Sequence, residues 1–222
     1  MHPDKIIQNY RLIRFLGDGG MGQVWLAEHT LLGRKVAVKS LHPQFARNAG
    51  IRARFKQEAA TLAHLQHPSI VALHDYIEED DAAYLVMEYV DGLPLDEYIA
   101  HQTGPIPSPQ LRALFGQILD GFVYAHQKMV VHRDIKPSNF LVTEAGVVKI
   151  LDFGIAKILS DGNHKLTKTG SNLGTVLYMS PEQVRGEAVD LRSDIYALGV
   201  TLFQMATGQS AYSADATEFT VY

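Results

Sequence analysis

The chain has 222 residues, of which 46% are hydrophobic, and it contains no cysteine. These values exclude an intrinsically disordered protein, a disulfide-stapled domain and a thiolate metal site. The formal net charge of −4 arises without any block of like charges, so generic binding to nucleic acid or to a membrane surface is not supported.

The first ninety residues predict a small sheet with one helix. Residues 10–16, 23–29 and 35–41 are short runs rich in Val, Leu and Ile, and glycine turns separate them, as is typical of strands. Residues 51–66 have the apolar spacing of a helix. Residues 84–89 form a further apolar strand, so this part of the chain is mainly sheet.

The remainder of the chain predicts a mainly helical lobe over residues 91–222. Ser108-Pro109 is a typical helix start, and apolar residues follow it at helical spacing. A second helix is predicted over residues 194–206, with Gly208 as its C-terminal cap. A sheet lobe joined to a helical lobe forms a cleft, and ligands usually bind in such clefts.

Four glycines fall within six positions of the segment "LGDGGMGQVWL", residues 16–26. A plain surface turn, a dinucleotide-binding site and a loop that covers phosphates would each use such a run. In a dinucleotide site the glycines lead into a helix, whereas the residues after Gly22 alternate as a strand does. We therefore expect a strand–turn–strand hairpin, and a plain turn stays open on this segment alone.

One charged side chain stands out in the strand "KVAVKSL" and one in the helix that follows it. Val36 and Val38 point to one face of the strand, so Ala37 and Lys39 point to the other. Glu58 lies on the apolar stripe of the predicted helix, and a buried carboxylate needs a partner. An edge lysine in water would be the simpler interpretation of Lys39 alone, but pairing with Glu58 would hold it ready for phosphate oxygens.

The segment "HRDIKPSN", residues 132–139, concentrates a histidine, an arginine, a carboxylate, a lysine and an amide in one short loop. The following residues predict a hairpin with its turn at Ala145-Gly146, which would place Asn139 opposite Asp152. Two oxygen ligands side by side suit Mg²⁺, which takes waters and phosphate oxygens as its other ligands. A surface loop of turn residues would not explain why these groups converge.

Together these segments resemble the signature set of the eukaryotic-type (Hanks-type) protein kinases. "GTVLYMSPEQ" and "SDIYALGVTLFQMATG" are similar to the bacterial serine/threonine kinases of this family in particular. The pieces stand in order along the chain: "GDGGMGQV" at 17–24, "VAVK" at 36–39, Glu58, "HRDIKPSN" at 132–139, "DFG" at 152–154 and "SPE" at 180–182.

The resemblance covers Tyr10 to the end of the chain and implies an α+β, protein-kinase-like fold with two lobes. It divides the chain into an N-terminal extension over residues 1–9, an N-lobe over residues 10–90 and a C-lobe over residues 91–222. The N-lobe would be a small antiparallel sheet plus one helix, and the C-lobe would be mainly helical.

The resemblance implies ATP as a cofactor. Backbone amides of the glycine hairpin would cover its phosphates, with glycine required because a Cβ would hold the backbone off the ligand. Lys39 would contact the α- and β-phosphates and pair with Glu58. Val24, Ala37 and Leu141 would sandwich the adenine, Glu88 and Val90 would offer backbone hydrogen bonds to its edge, and Met87 would line the pocket behind. The full implied set is Leu16, Gly17, Asp18, Gly19, Gly20, Met21, Gly22, Gln23, Val24, Ala37, Lys39, Glu58, Met87, Glu88, Val90 and Leu141.

The implied reaction is transfer of the γ-phosphate of ATP to serine or threonine hydroxyls of proteins. Asp134 would accept or orient the proton of the substrate hydroxyl, and Lys136 would neutralise the γ-phosphate. Asn139 and Asp152 would hold Mg²⁺. Lysine at position 136 indicates the serine/threonine class, because tyrosine kinases of the family usually carry alanine and arginine in this loop.

The segment between Asp152 and Glu182 is long for a connection in a compact domain, which is typical of a functional loop. It corresponds to the activation loop of the family and carries Thr167 and Thr169 among lysines. Arg133 could pair with a phosphate on one of these threonines. We therefore expect autophosphorylation in this loop.

The sequence departs from the family after Gly208, where the family's domain continues with several more helices. One of those helices carries an arginine that pairs with the glutamate equivalent to Glu182. The expectation is a C-terminally truncated domain that lacks its last helices and leaves Glu182 without a partner. The alternative function is a catalytically impaired fragment or a pseudokinase that acts as an ATP-binding or interaction module.

The expected partners are proteins with serine or threonine acceptors, and a kinase dimer for trans-autophosphorylation is compatible with the sequence. Nucleic acid is not an expected partner. The longest mostly apolar stretch, residues 195–203, is too short to span a bilayer, so no membrane segment is expected in this chain. The expected location is the cytoplasm, with a membrane anchor in a longer parent protein left open.

Overall fold

The computed structural model describes residues 1–19, 21–79, 82–153 and 176–212. The chain divides into two compact units. The first comprises Met1–Gln66 and Val71–Tyr89, and the second comprises His67–Ile70 and Val90–Tyr222. Each unit has its own sheet and its own helices.

The first unit is built on a six-stranded antiparallel sheet with the strand order β1-β2-β3-β4-β6-β5. The four predicted strands are present: β4 has the predicted bounds, β2 and β3 are slightly longer, and β6 begins two residues earlier and ends one residue earlier. β5 was missed because its residues are mostly polar and do not alternate. The strands are β1 (Ile6–Ile7), β2 (Tyr10–Gly19), β3 (Gly22–His29), β4 (Lys35–Leu41), β5 (Leu73–Glu79) and β6 (Ala82–Glu88).

One face of this sheet carries a hydrophobic cluster. Val36 and Val38 of β4 are fully buried in it, together with Trp25 of β3 and Val86 of β6. Because neighbouring side chains of a strand point to opposite faces, the residues between them lie on the other side of the sheet. The alternation predicted for "KVAVKSL" is therefore confirmed.

Two helices follow β4 in the first unit, α1 (Pro43–Ala46) and α2 (Ala49–Ala63). The helix predicted over residues 51–66 is α2, which begins earlier because the side chain of Asn48 caps it by accepting a hydrogen bond from the Ile51 N–H at 3.1 Å. Phe55 of α2 is buried and lies 6.1 Å from the ring of Tyr76 in β5.

The second unit is mainly helical. Within the described ranges, its helices are α3 (Leu95–Tyr98), which continues as a π-turn (Ile99–Thr103), α4 (Ser108–Gln127), a 3₁₀ turn (Pro137–Asn139), α5 (Pro181–Val184) and α6 (Leu191–Thr207). A three-stranded sheet contains β7 (Gly92–Pro94), β8 (Phe140–Thr143) and β9 (Val148–Ile150). Within the described ranges, no helix is long and apolar enough to cross a membrane.

The two long predicted helices are present, and their ends differ from expectation by a few residues. Pro107, not Ser108, is the N-cap of α4, so its start carries no side-chain cap. α6 begins at Leu191, before the expected Asp194, because the Asp190 carboxylate accepts a hydrogen bond from the Arg192 N–H at 2.8 Å. Gly208 caps its C-terminus in the left-handed conformation, with φ of 71°, as predicted.

Candidate active site

The glycine-rich segment forms the expected hairpin between β2 and β3. Gly17 pairs with Val24 and Gly19 pairs with Gly22, and Gly20 lies outside the described residues. A strand follows Gly22, so the helix that a dinucleotide site requires is not there. The hairpin predicted from the alternating residues is confirmed.

The glycines of the hairpin are required for different reasons. A Cβ on Gly22 would lie 1.6 Å from the carbonyl oxygen of Ser40, so only glycine lets β4 approach β3 at this point. A Cβ on Gly17 would meet nothing within 4 Å, and one on Gly19 would meet only the Gly22 carbonyl oxygen at 3.6 Å. The sheet itself therefore requires glycine at position 22, and close approach of this glycine to a ligand stays a prediction.

A histidine outside the sequence motifs contacts this hairpin. His42 Nε2 lies 3.0 Å from Asp18 Oδ1 and 3.1 Å from the carbonyl oxygen of Gly19. The backbone N–H of His42 also donates to the carbonyl oxygen of Met21 at 2.8 Å. The residue after β4 thus connects to both sides of the hairpin tip, which no local spacing could have indicated.

The residues expected to bind the base and phosphates of ATP in the first unit share one face of its sheet. Lys39 lies directly opposite Val24 of β3 on one side and Leu85 of β6 on the other, and Ala37 lies opposite Met87. Directly opposed residues point to the same face, so these side chains lie on the face away from the hydrophobic cluster. Lys39 is only 7% exposed, which argues against a solvated edge lysine. Its pairing with Glu58 stays a prediction.

The other predicted nucleotide-binding residues are spread over several elements. Met21, in the connection between β2 and β3, is buried, and the carboxylate of Glu88 accepts a hydrogen bond from the Ala72 N–H at 3.3 Å. Leu141 lies in β8 of the second unit, between Lys149 and Pro94. Leu16 and Gln23 lie on β2 and β3, and Val90 follows β6.

The loop over residues 132–139 gathers the predicted catalytic groups around Asp134. The Lys136 Nζ lies 3.1 Å from Asp134 Oδ2. The Asn139 amide nitrogen donates to the Asp134 carbonyl oxygen at 2.6 Å and to its Oδ2 at 3.1 Å. Since the amide nitrogen of Asn139 is used in this way, its amide oxygen is the atom that it can present to a cation. Three of the four predicted catalytic residues therefore lie in one cluster.

His132 is fully buried directly before this cluster. The backbone N–H of Asp134 donates to His132 Nδ1 at 3.2 Å, so Nδ1 carries no proton. Nε2 therefore carries the proton and donates to the Leu151 carbonyl oxygen at 2.7 Å, which defines a neutral imidazole. Its ring also packs 4.8 Å from that of Phe153.

Asp194 braces the same loop from α6. Its carboxylate is 1% exposed and accepts the backbone N–H groups of His132 and Arg133, each at 2.9 Å. His126 Nε2 donates to it at 2.8 Å. Arg133 has a φ of 69°, an unfavourable left-handed conformation for a residue with a side chain, so these bonds hold a strained backbone in place.

The hairpin register differs by one residue from the prediction. Phe140 pairs with Ile150, and the Leu151 N–H donates to the Asn139 carbonyl oxygen at 2.9 Å, so Asn139 lies opposite Leu151 and not Asp152. The reason is a three-residue loop ending at Gly146, whose φ is 74°, in place of a two-residue turn. Asp152 comes one residue later, with a φ of 58°.

The expectation that Glu182 has no partner is wrong. The Ser193 hydroxyl donates to its carboxylate, and this bond lowers the pKa of Glu182 below its usual value. Neighbouring Gln183 also bonds to the Arg133 carbonyl oxygen at 2.8 Å, a contact that the motifs did not single out. Thr167 and Thr169 of the predicted activation loop lie outside the described residues.

Comparisons with known proteins agree with this geometry. The family model of the protein kinase domain matches residues 10–221. Serine/threonine-protein kinase PrkC of Bacillus subtilis (strain 168) is 44% identical over 211 residues, which is 95% of this chain and 32% of that protein. Serine/threonine-protein kinase PknB of Mycobacterium tuberculosis (strain ATCC 25618 / H37Rv) is 40% identical over 217 residues, 96% of this chain and 34% of that protein. The chain thus spans about a third of the length of these curated relatives.

Solved structures show the same fold. The crystal structure of the Mycobacterium tuberculosis PknI kinase domain has a TM-score of 0.76 and 29% identity, and covers 98% of this chain and 82% of that one. The expected α+β protein-kinase fold, with an antiparallel sheet and a mainly helical part, is confirmed. On the sequence motifs, the matched residues and the shared fold, this chain belongs to the protein kinase domain family.

Proposed function

We propose that this chain is an ATP-dependent protein serine/threonine kinase domain. The observation that carries the proposal is the arrangement around Asp134, whose carboxylate contacts both Lys136 and the Asn139 amide. The relatives named as serine/threonine-protein kinases support the same conclusion. A pseudokinase is less well supported because every residue type that phosphoryl transfer requires is present.

Asp134 is the proposed base or orienting group for the acceptor hydroxyl. Lys136 lies beside it, where its ammonium group would neutralise the charge of the transferred γ-phosphoryl group. Because the Asn139 amide also contacts the Asp134 carboxylate, the aspartate is held in one orientation before substrate arrives. This preorganisation is what phosphoryl transfer asks of a protein.

ATP is the proposed phosphoryl donor. In the first unit, Val24, Ala37 and Met87 offer an apolar face for the adenine, and nearly buried Lys39 on the same face would bind the α- and β-phosphates. The hairpin fits close approach of phosphate, since nothing occupies the place of a Cβ on Gly17. The other nucleotide-binding residues implied by the resemblance belong to this proposal.

Magnesium is the proposed metal cofactor, and Asn139 and Asp152 are its proposed ligands. An amide oxygen and a carboxylate form a hard, oxygen-only donor set of the kind that Mg²⁺ prefers. No group of three or more His, Cys, Asp or Glu side chains that could hold a metal occurs in the described part of the chain, so a site completed by phosphate oxygens fits better than an all-protein one. Bound Mg²⁺ would supply neutralisation of the phosphate charge.

The deciding experiment measures phosphate transfer from labelled ATP to a serine- and threonine-containing protein in the presence of Mg²⁺. Asp134→Asn should lower the rate of transfer by about 10²–10⁴-fold while ATP still binds, because it removes the proposed base and leaves the Lys39 face intact. Asp120→Asn, at an exposed position of α4, is the matched control and should retain transfer. ATP binding by the unaltered chain without any transfer would instead establish the pseudokinase alternative.

Autophosphorylation of the activation loop is part of the proposal. Replacing both Thr167 and Thr169 with alanine should lower activity, since Arg133 could no longer pair with a phosphate there. Thr30→Ala, at an exposed position of the first unit, serves as the control. Undiminished activity of the double variant would contradict this part. Autophosphorylation between two copies would show a rate per molecule that rises with protein concentration.

Proteins with serine or threonine acceptors are the proposed substrates, as the names of the relatives suggest. Because ATP is the proposed phosphoryl donor, the cytoplasm is the proposed compartment. Labelled product should contain phosphoserine or phosphothreonine and no phosphotyrosine, which acid hydrolysis and separation of the phosphoamino acids would test. Phosphotyrosine as the main product would contradict the proposed acceptor class.

A further inference from the structure

Gln183 makes two kinds of contact with its side-chain amide. Its Oε1 accepts a hydrogen bond from the backbone N–H of Ser180 at 3.0 Å, which closes a capping box at the start of α5. Its Nε2 donates to the carbonyl oxygen of Arg133 at 2.8 Å, 50 residues away in the chain. The first contact stabilises its own helix, whereas the second reaches the loop that holds Asp134.

The second contact acts on a strained residue. Arg133 has a φ of 69°, a conformation that persists only where the surroundings hold it. Its N–H donates to Asp194 of α6 at 2.9 Å, and its carbonyl oxygen accepts from Gln183 of α5. Two helices therefore hold the two polar groups of one strained backbone residue, and the Gln183 bond is the one on the side of Asp134.

The carbonyl of Arg133 belongs to the same peptide plane as the N–H of Asp134. That N–H donates to His132 Nδ1 at 3.2 Å, so the plane is held at one edge by Gln183 and at the other by His132. The orientation of this plane sets the direction in which the Cα of Asp134 projects its side chain. A change at the carbonyl edge would therefore rotate the carboxylate away from Lys136.

We propose that Gln183 is a positioning residue for Asp134, and that it acts through the carbonyl oxygen of Arg133. This inference rests on the proposed kinase function. Gln183 touches neither Asp134 nor Lys136 in the hydrogen bonds of the described residues, so its effect reaches the base through the backbone. It also connects α5, at the end of the predicted activation loop, to the loop that carries the base.

Gln183→Glu separates the two contacts of this side chain. A glutamate keeps the length and the oxygen that caps Ser180, and glutamate is itself a favoured residue at this position of a capping box. It replaces the Nε2 donor with an oxygen that can only accept, so this oxygen would repel the Arg133 carbonyl oxygen in place of bonding to it.

Gln117→Glu is the matched control. Gln117 likewise bridges by donating to the Gly146 carbonyl oxygen at 2.9 Å and accepting from the Val148 N–H at 3.0 Å, away from Asp134.

The expected result is a kcat about tenfold lower for Gln183→Glu, which corresponds to about 1.4 kcal/mol of activation free energy. The KM for ATP should stay within about twofold, because the Lys39 face is unchanged. Gln117→Glu should keep kcat within about twofold of the unaltered chain. Equal kcat values for the two variants would overturn the proposal.

A double variant distinguishes positioning from general destabilisation. In an Asp134→Asn background, Gln183→Glu should lower the residual rate by less than about twofold, because the group through which it acts is already gone. A full tenfold further loss would show that Gln183 acts elsewhere and overturn the inference. If Gln183→Glu does not fold, the uncharged Gln183→Met is measured in both backgrounds instead; it removes both contacts of the side chain, and the same fold-changes are expected. If the unaltered chain transfers no phosphate, the proposed kinase function fails. If the unaltered chain is active but the two variants have equal kcat values, only the positioning role of Gln183 fails.

Discussion

The brace formed by Asp194 provides the sharpest test of how the structure maintains its loop. Replacing Asp194 with asparagine keeps the size of the side chain but gives it one acceptor oxygen in place of two. One oxygen now accepts from both His132 and His126, and the other accepts from Arg133. Whichever way the asparagine amide turns, its nitrogen faces a backbone N–H, so one donor at a buried position loses its partner.

The size of the effect follows from these three bonds. A hydrogen bond to a charged group contributes about 1.5–3 kcal/mol, and one such bond is lost outright. The two remaining hydrogen bonds are then made to a neutral amide and not to a carboxylate, which roughly halves the free energy that each contributes. We therefore expect the free energy of unfolding to fall by at least about 3 kcal/mol, which lowers the thermal midpoint of a domain of this size by at least about 6 °C.

Thermal unfolding followed by circular dichroism measures this change, with phosphate transfer measured in parallel. Asp190→Asn is the control, because Asp190 is exposed on the same helix and asparagine caps a helix as well as aspartate does. Its midpoint should stay close to that of the unaltered chain. A midpoint for Asp194→Asn within about 2 °C of the control would refute the reasoning, since the buried N–H groups would then not depend on the carboxylate.

Two further predictions concern stability. Gly22→Ala should lower the free energy of unfolding by at least about 2 kcal/mol, because its Cβ would overlap the Ser40 carbonyl oxygen. Gly17→Ala should lower it by less than about 0.5 kcal/mol, because its Cβ would meet nothing within 4 Å. Urea unfolding measures both changes, and equal losses would contradict the packing argument. Ser193→Ala should remove the bond that lowers the pKa of Glu182. A lowered carboxyl pKa contributes stability that is full above the ordinary value of 4.5 and is lost as the pH falls through the lowered pKa. The advantage of the unaltered chain over Ser193→Ala should therefore vanish on acidification in midpoints measured against pH, and a difference independent of pH would argue against this role.

Much of the fold could be predicted from local patterns. Strands alternate with a period of two residues and helices repeat every 3.6, so β2, β3, β4, α2, α4 and α6 are visible in the order of the residues. β5 escaped because its polar residues do not alternate, and the short helices α1, α3 and α5 are below the length at which periodicity can be recognised. Helix ends shifted by a few residues, because caps such as Asn48 and Asp190 depend on side-chain geometry that spacing does not define.

The candidate site also has features that the sequence predicts and features that it does not. The identity and order of Lys39, Asp134, Lys136 and Asn139 are properties of the sequence, and so is the alternation that places Lys39 on the face away from the hydrophobic cluster. The register of the β8–β9 hairpin, which places Asn139 opposite Leu151 and not Asp152, was not predictable. A two-residue turn and a three-residue loop fit the same residues, and only the left-handed conformation of Gly146 shows that the loop has three residues.

The sequence by itself determined the family, the main elements and the residues that carry the proposed chemistry, since all of these are encoded in neighbouring positions. Only the tertiary structure decided what holds those residues. Asp194 reaches back 61 residues to Arg133, and Gln183 reaches back 50. Ser193 provides the partner that Glu182 was expected to lack. These bonds depend on how α5 and α6 pack against a loop far away in the chain, and no local period carries that information.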